Sequence, residues 1–483
     1  MMHLSKAIPE EKGISSAKIE QFLRRAGEKT GIHSAMIYKS GAVVCEAYWA
    51  PYRAGRYHVL FSLSKTFTSA AMGFLRAEGK VAFDDTLISF FPQYEHVITD
   101  ARMRAVTIRD ALTMATGHNP EPPVDLQHDP DPRRSFFASA LQCEPGTAFC
   151  YNTPASYMLS AIVTEVTGLR LSEYLKPRLL QPLGITNYRY QRCRSGIDLG
   201  GFGLHLCTRD ILKFGVLIAN GGMLDGRRIL PEDWVREAQT KQIDSRMDGN
   251  TEDWFSGYGY QMWRCRHGAF RGDGMHGQYM LIMPEQEMVI AINAGEEHMS
   301  DILDLVWEIL LPAAGKAPLA ADPAAYFSLR ETVGALRIKA PQGSAHSPFE
   351  AAIADRRYSV RLPEGADGPF FCGAKLSFSF KGEVCALDVE RPEGTKTLLF
   401  GYNAFCENYI EGLLEQYAHS SCLYAWEDAR TLRLTMFYDE TPFAVYMRVA
   451  FRDTENAVFD AVTYCSWPGA QFQGAQLQAQ VGV

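Results

Sequence analysis

Apolar and polar side chains alternate strictly along much of the last third of the chain. Leu376, Phe378 and Phe380 interleave with Ser377, Ser379 and Lys381, and Phe443, Val445, Met447, Val449 and Phe451 keep the same two-residue period. Side chains of a strand point to opposite faces in turn, so the pattern predicts largely antiparallel β structure. The first 311 residues mix two periods. Residues 34–38 and 42–49 are apolar runs around Lys39-Ser40-Gly41, a hairpin signal, and 279–283 with 288–293 form a second pair around Pro284-Glu285-Gln286-Glu287. Between them Phe67, Ala70, Ala71, Phe74 and Leu75 follow the i, i+3, i+4, i+7, i+8 face of a helix, and a further helix is predicted over 301–311. Residues 312–325 are Ala/Pro-rich and break both patterns. The chain is therefore expected to divide into a sheet-and-helix domain over 1–311, a linker at 312–325, and a β-rich C-terminal domain over 326–483.

Composition narrows the class. With 483 residues, 47% hydrophobic and 22% charged, the chain is an ordinary globular protein of two or three domains. Lys and Arg total 48 against 56 Asp and Glu, a net charge of -8, which gives a polyanion no electrostatic footprint and argues against nucleic acid as a partner. Eleven cysteines lie scattered without a C-x-x-C pair, as reduced and mostly buried thiols do, and twelve histidines include no H-E-x-x-H. No metal or other cofactor is expected. No basic start followed by an apolar stretch opens the chain, and no apolar run approaches the ~18 residues of a membrane span, so the expectation is a soluble cytoplasmic protein.

Three familiar signatures fail. Gly272-Asp273-Gly274-Met275-His276-Gly277 matches G-x-G-x-x-G, but a dinucleotide loop opens a helix, and here the strand-like run 278–283 follows. Neither a G-x-x-x-x-G-K-[ST] phosphate loop nor a G-x-S-x-G nucleophile elbow occurs. The pattern S-x-x-K occurs twice, at Ser15-Ser16-Ala17-Lys18 and at Ser62-Leu63-Ser64-Lys65. Only the second opens an apolar helix, where i, i+3 spacing puts hydroxyl and amine on one face and free backbone N–H groups favour developing negative charge. A lysine held in apolar surroundings loses its proton more readily and can accept one from the serine.

The surroundings of Ser62 resemble a family. Phe61-Ser62-Leu63-Ser64-Lys65-Thr66-Phe67 is similar to the nucleophile box of the class C β-lactamase, penicillin-binding-protein and serine esterase superfamily. The run from Thr107 to His118, Pro145-Gly146-Thr147-Ala148-Phe149-Cys150-Tyr151-Asn152-Thr153, Pro182-Leu183-Gly184-Ile185, Gly200-Gly201-Phe202-Gly203-Leu204 and Thr208-Arg209-Asp210 follow in the family's order over roughly residues 10–311. The resemblance implies an α/β (α+β) fold, an antiparallel sheet flanked by helices plus a helical subdomain. It also implies roles: Ser62 as nucleophile, Lys65 and Tyr151 as the proton-transfer pair, and the backbone amides of Ser62 and Gln278 as oxyanion hole. The family's second box is Y-x-N; Thr153 replaces its Asn, with Asn152 between. Its third box, a basic residue, a small residue and Gly, aligns here as Met275-His276-Gly277. Thr153, Asn152, Met275, His276 and Gly277 are the substrate-binding candidates, and the changes at 153 and 275 weaken the case for a β-lactam.

The Pro-rich stretch 118–134 reads as a lid or a solvated loop. The aromatic run 400–405 reads as strand core, or as a cover over the cleft or contact between like subunits of a homo-oligomer. The function expected is a serine hydrolase cleaving a small ester or amide through an acyl-enzyme, with a small molecule as partner. The alternatives are a β-lactamase or D-amino-acid peptidase, or a binding protein that keeps the fold without the chemistry.

Overall fold

The computed structural model describes residues 2–246, 251–354, 356–366, 370–414, 417–465 and 472–479. The chain forms two compact units, one holding most residues up to Leu336 and the other Arg337 onward together with the short inserts Trp49–Arg53 and Gly295–Glu297.

The first unit is built on a six-stranded antiparallel sheet. Its strands are β1 (Ile32–Lys39), β2 (Ala42–Tyr48), β3 (Trp263–Arg264), β4 (Phe270–Gly274), β5 (Gln278–Met283) and β6 (Met288–Ala294), in the spatial order β2-β1-β6-β5-β4-β3. Both hairpins anticipated from the apolar runs are present. In the first, Lys39 pairs with Ala42 across Ser40 and Gly41, whose positive φ values of 43° and 93° suit a two-residue turn that follows the strand twist. Every residue of β5 and β6 is buried, because helices cover both faces of the sheet. Met280 faces α4 (Thr208–Ala219), where a side chain at Gly215 would strike Val289 and Met280. Tyr279, pointing the other way, donates its hydroxyl to the carbonyl of Met299, the first residue of α5 (Met299–Leu305), at 2.8 Å.

Helix α2 (Ser64–Ala77) is buried from Ser64 to Leu75 and packs against α3 (Thr153–Thr167) within the main core. A helix so enclosed carries small side chains where others press on it: the Trp234 ring sits over Gly73, and its indole N–H donates to Ser69 Oγ at 3.0 Å. Helix α1 (Ser16–Lys29) anchors α6 (Pro323–Ala335): the Arg24 guanidinium donates to Thr332 Oγ1 at 2.7 Å, and Glu20 accepts from Ser328 and Thr332, each at 3.0 Å. The units therefore part after Leu336, not at the 312–325 linker read from composition. Ala and Pro there serve a helix start, with Asp322 capping the Ala325 N–H and Pro323 at the first turn. The preceding stretch is strapped down through Gly315 N–H to Gly13 O and Leu319 N–H to Glu10 O, both 2.8 Å.

The second unit is a ten-stranded antiparallel sheet whose ends meet. In chain order its strands are β7 (Tyr358–Arg361), β8 (Lys375–Lys381), β9 (Val384–Arg391), β10 (Gly394–Gly401), β11 (Cys406–Leu414), β12 (Tyr417–Trp426), β13 (Thr431–Tyr438), β14 (Ala444–Phe451), β15 (Asn456–Tyr464) and β16 (Phe472–Ala479). The spatial order is β10-β9-β8-β7-β16-β15-β14-β13-β12-β11, and a parallel bridge from Gly401 to Leu423 brings β10 to β12, giving a barrel-like closure. The alternating residues point inward as expected: Leu376, Phe378, Val445, Met447, Val449 and Phe451 are all buried. The aromatic run 400–405 serves this unit's own packing, with Phe400 in the interior, Tyr402 bonded to the Gly343 carbonyl at 3.1 Å and Phe405 edge-on to Phe437.

Candidate active site

Ser62 lies in a short 3-10 turn, Phe61–Leu63, that runs directly into α2, so the i, i+3 spacing places Lys65 one turn below it. Lys65 Nζ donates to Ser62 Oγ at 3.0 Å, to the Gly201 carbonyl at 2.7 Å and to Thr153 Oγ1 at 3.3 Å. The amine is 1% exposed, and burial brings its pKa down from the ordinary lysine range to about 7, although the carboxylates of Glu121 and Asp273 hold it up. The lowered pKa makes the neutral amine accessible near neutral pH.

Tyr151 completes the cluster. Its ring lies 4.8 Å from Lys65 Nζ, and its oxygen takes a hydrogen bond from Ser62. Burial and the Asp273 and Glu121 charges keep the phenol protonated well above the ordinary tyrosine pKa. Trp263 stacks on the Tyr151 ring at 5.6 Å and 15°, and Tyr258 meets both rings edge-on, forming an aromatic wall with Phe149.

Strand β4 approaches this turn closely. An added Cβ at Gly274 would collide with the Leu60 carbonyl oxygen and lie 3.2 Å from Leu63 N, and one at Gly272 would lie 2.5 Å from Leu63 Cδ1 and 2.6 Å from Thr66 Oγ1. The G-x-G of the rejected dinucleotide match is thus a strand edge pressed against the Ser62 turn.

The remaining sequence candidates separate. Thr153 is at the cluster, its hydroxyl against Lys65. Asn152 is fully buried and its amide is committed to the fold: Oδ1 caps α3 at Ala155 N–H (2.9 Å), and Nδ2 reaches Thr116 Oγ1 (3.0 Å) and His118 Nδ1 (3.3 Å). Asn152 therefore serves as the cap of α3. Met275 is half exposed on the turn after β4, and His276 packs edge-on against Phe61 at 5.7 Å. Gly277 closes that turn through its N–H to the Gly274 carbonyl at 3.2 Å. Gln278 pairs with Gly274 from the next strand inward, and its buried side chain bonds the Ala294 carbonyl at 2.7 Å.

Sequence reasoning missed Glu121, Trp263, Arg271 and Asp273. Glu121 accepts the Thr153 N–H at 2.8 Å and borders a cavity of about 470 Å³ lined also by His118, Pro120, Val124 and Ser139. This cavity lies between the start of the 118–134 stretch anticipated as a lid or loop and residues 135–142, and burial pushes His118 in its lining down to about 4, leaving a neutral ring.

A buried helix opening on Ser62 and Lys65, a tyrosine facing them and a glycine strand edge define a serine β-lactamase-like, penicillin-binding-protein-like hydrolase fold. The chain belongs to the Beta-lactamase family, whose model matches residues 19–308. It is similar to 6-aminohexanoate-dimer hydrolase of Paenarthrobacter ureafaciens, at 24% identity over 289 residues covering 54% of this chain and 72% of that protein. A Bacillus anthracis structure with the provisional name 6-aminohexanoate-dimer hydrolase shares 20% identity and a TM-score of 0.52, covering 65% of this chain and 87% of its own. The structure of SurE, at 15% identity and a TM-score of 0.51, covers 96% of this chain and 98% of that one, so its likeness in fold extends beyond residues 19–308. Among the described residues, no helix is long and apolar enough to cross a membrane.

Proposed function

We propose that the protein is a serine hydrolase that cleaves a small ester or amide through an acyl-enzyme on Ser62. The observation that carries this reading is the 3.0 Å contact between Ser62 Oγ and a buried Lys65 amine whose pKa falls to about 7. A neutral amine at that place can take the hydroxyl proton as the oxygen attacks a carbonyl carbon. Tyr151, held protonated, is the group able to hand a proton to the departing oxygen or nitrogen, and the proton that Lys65 took from Ser62 replaces it. Water entering after the leaving group departs releases the acyl chain by the reverse proton path.

The oxyanion needs two N–H donors on one side of Ser62. In this reading Ser62 N–H is one, as the family resemblance implies. For the second, this reading takes Met275 in place of Gln278, because Gly274 is pressed against the nucleophile turn and Met275 follows it directly. Gln278 sits one strand further from the turn, paired with Gly274.

The relative from Paenarthrobacter ureafaciens is named for hydrolysis of an aminohexanoate dimer, which supports a small amide as a candidate substrate beside an ester. Thr153 Oγ1 is engaged by Lys65, and Met275 brings no charge, so neither offers the amide or cation that a β-lactam would use. The assay is a substrate panel: short aryl esters and small linear amides should turn over at least ~10²-fold faster in kcat/KM than cephalosporins, a difference of about 2.7 kcal/mol in transition-state binding. Efficient cephalosporin hydrolysis would overturn the assignment of substrate class. An inert protein on every ester, amide and lactam would favour the binding-protein alternative.

A further inference from the structure

Strand β4 carries two charged residues, Arg271 and Asp273, in a position where charge is costly. Both are buried, Arg271 completely. Such groups persist only when paired and hydrogen-bonded. Arg271 meets Asp273 Oδ2 through Nε at 3.0 Å and Nη2 at 2.8 Å, and its Nη1 donates to the Asp253 carbonyl at 2.6 Å and to Cys265 Sγ at 3.0 Å. Its guanidinium lies 4.4 Å from the Trp254 ring and 5.8 Å from the Trp263 ring. The Asp273 carboxylate also takes a hydrogen bond from the Trp263 side chain. Trp263 in turn is the ring on which Tyr151 stacks. A continuous path therefore runs from Arg271 through Asp273 and Trp263 to the Tyr151 ring beside Ser62 and Lys65.

We infer that Asp273, clamped by Arg271, is a positioning residue for the serine chemistry: it fixes the plane of Trp263 against Tyr151 and places one buried negative charge behind the Ser62–Lys65–Tyr151 cluster. The inference rests on the proposed function and deepens it. Two features separate this role from simple packing. A ring that only filled space would need no carboxylate, and an apolar pair of similar volume would spare the cost of burying two charges. The field of Asp273 also reaches the reacting groups: it favours the protonated form of both Lys65 and Tyr151, while burial raises the pKa of Asp273 itself and Arg271, with Lys65 behind it, works to keep the carboxylate charged. The charged and titratable groups acting on Lys65 are Glu121 and Asp273, with the Tyr151 ring beside it. Those acting on Tyr151 are Asp273, Glu121 and Arg271, with Tyr258 packed against its ring.

The test uses the full chain and two variants, Asp273→Asn and Trp263→Phe, with an aryl ester and a fluorophosphonate probe. Asp273→Asn keeps the shape and an acceptor for Trp263 but removes the charge, so the acid limb of kcat/KM should move to lower pH by ~0.5 unit or more as Lys65 loses a stabilising anion. Trp263→Phe keeps a ring against Tyr151 but removes the N–H that Asp273 holds; kcat should fall ~10-fold with little change in KM and with the limb in place. A purely structural role lowers folded protein and leaves the limb where it was. If wild type labels at Ser62 and Asp273→Asn keeps the wild-type limb, the inference is overturned while the nucleophile assignment stands. Should Asp273→Asn fail to fold, Trp263→Phe decides alone, and wild-type kcat there overturns the inference. Absence of Ser62 labelling in wild type removes the proposed function itself, and this inference with it.

Discussion

Gly274→Ala isolates the close approach of β4 to the nucleophile turn. The backbone at 274 is not in the left-handed region, so the added methyl group acts by contact alone. That methyl would overlap the Leu60 carbonyl oxygen and crowd Leu63 N, on either side of Ser62 in the chain. Neither obstacle is the end of a flexible side chain, so strand edge and turn must separate by about 1 Å. A displacement of that size between a nucleophile and its oxyanion donors costs ~10²-fold in rate, and crowding a packed site costs about 1–3 kcal/mol in stability. The expected outcome is a fall of ~10²-fold in kcat/KM for an aryl ester with a thermal midpoint lowered by a few degrees. Gly334→Ala is the control. Gly334 lies in α6 with open space where its Cβ would sit, so alanine there should leave kcat/KM unchanged and hold or raise the midpoint. Wild-type kcat/KM in Gly274→Ala would refute the placement of β4 as the oxyanion edge.

The pH profile follows from Lys65. Its active form is the neutral amine and its pKa is lowered to about 7, so kcat/KM should be high above that value and fall as pH drops through it. A profile flat from pH 5 to 9 would place the base elsewhere. Asn152→Ala should lower stability by about 1–2 kcal/mol through loss of the α3 cap, measured by denaturant unfolding, because it also strands Thr116 and His118. An unchanged midpoint with a raised KM would restore Asn152 as a substrate contact.

The hairpins, the buried helix at Ser62 and the alternating C-terminal strands were legible because each declares itself within about ten residues through a single period. Ser62 and Lys65 share one helix turn, and Tyr151 lay in a recognisable segment, so the structure brings together three residues that the sequence already named. Asp273, Trp263 and Glu121 were not named, because they reach the cluster only through tertiary contacts from segments 59 to 211 residues away from Ser62. One local signal did exist. Arg271 and Asp273 stand at i, i+2 between glycines in an otherwise apolar region, and two charges on one face of a buried strand must satisfy each other. The glycines at 272 and 274 carried a second signal: spaced by two, they share one strand face, which marks a close neighbour and not a phosphate loop. Asn152 followed by Thr153 and Pro154 was likewise readable as a helix cap with proline in the first turn. The domain boundary was misplaced because Ala/Pro-rich composition was read as a linker, although Asp322-Pro323 is also a helix start.

The central claim is that Ser62 becomes acylated. Intact and peptide-level mass spectrometry after brief mixing with a fluorophosphonate or a slowly released aryl ester measures this directly. The account predicts one adduct per chain, on the peptide carrying Ser62, absent from Ser62→Ala and slowed in Lys65→Ala. An adduct on Ser64 or Ser15 with Ser62 unmodified would contradict it, as would ester turnover that survives Ser62→Ala.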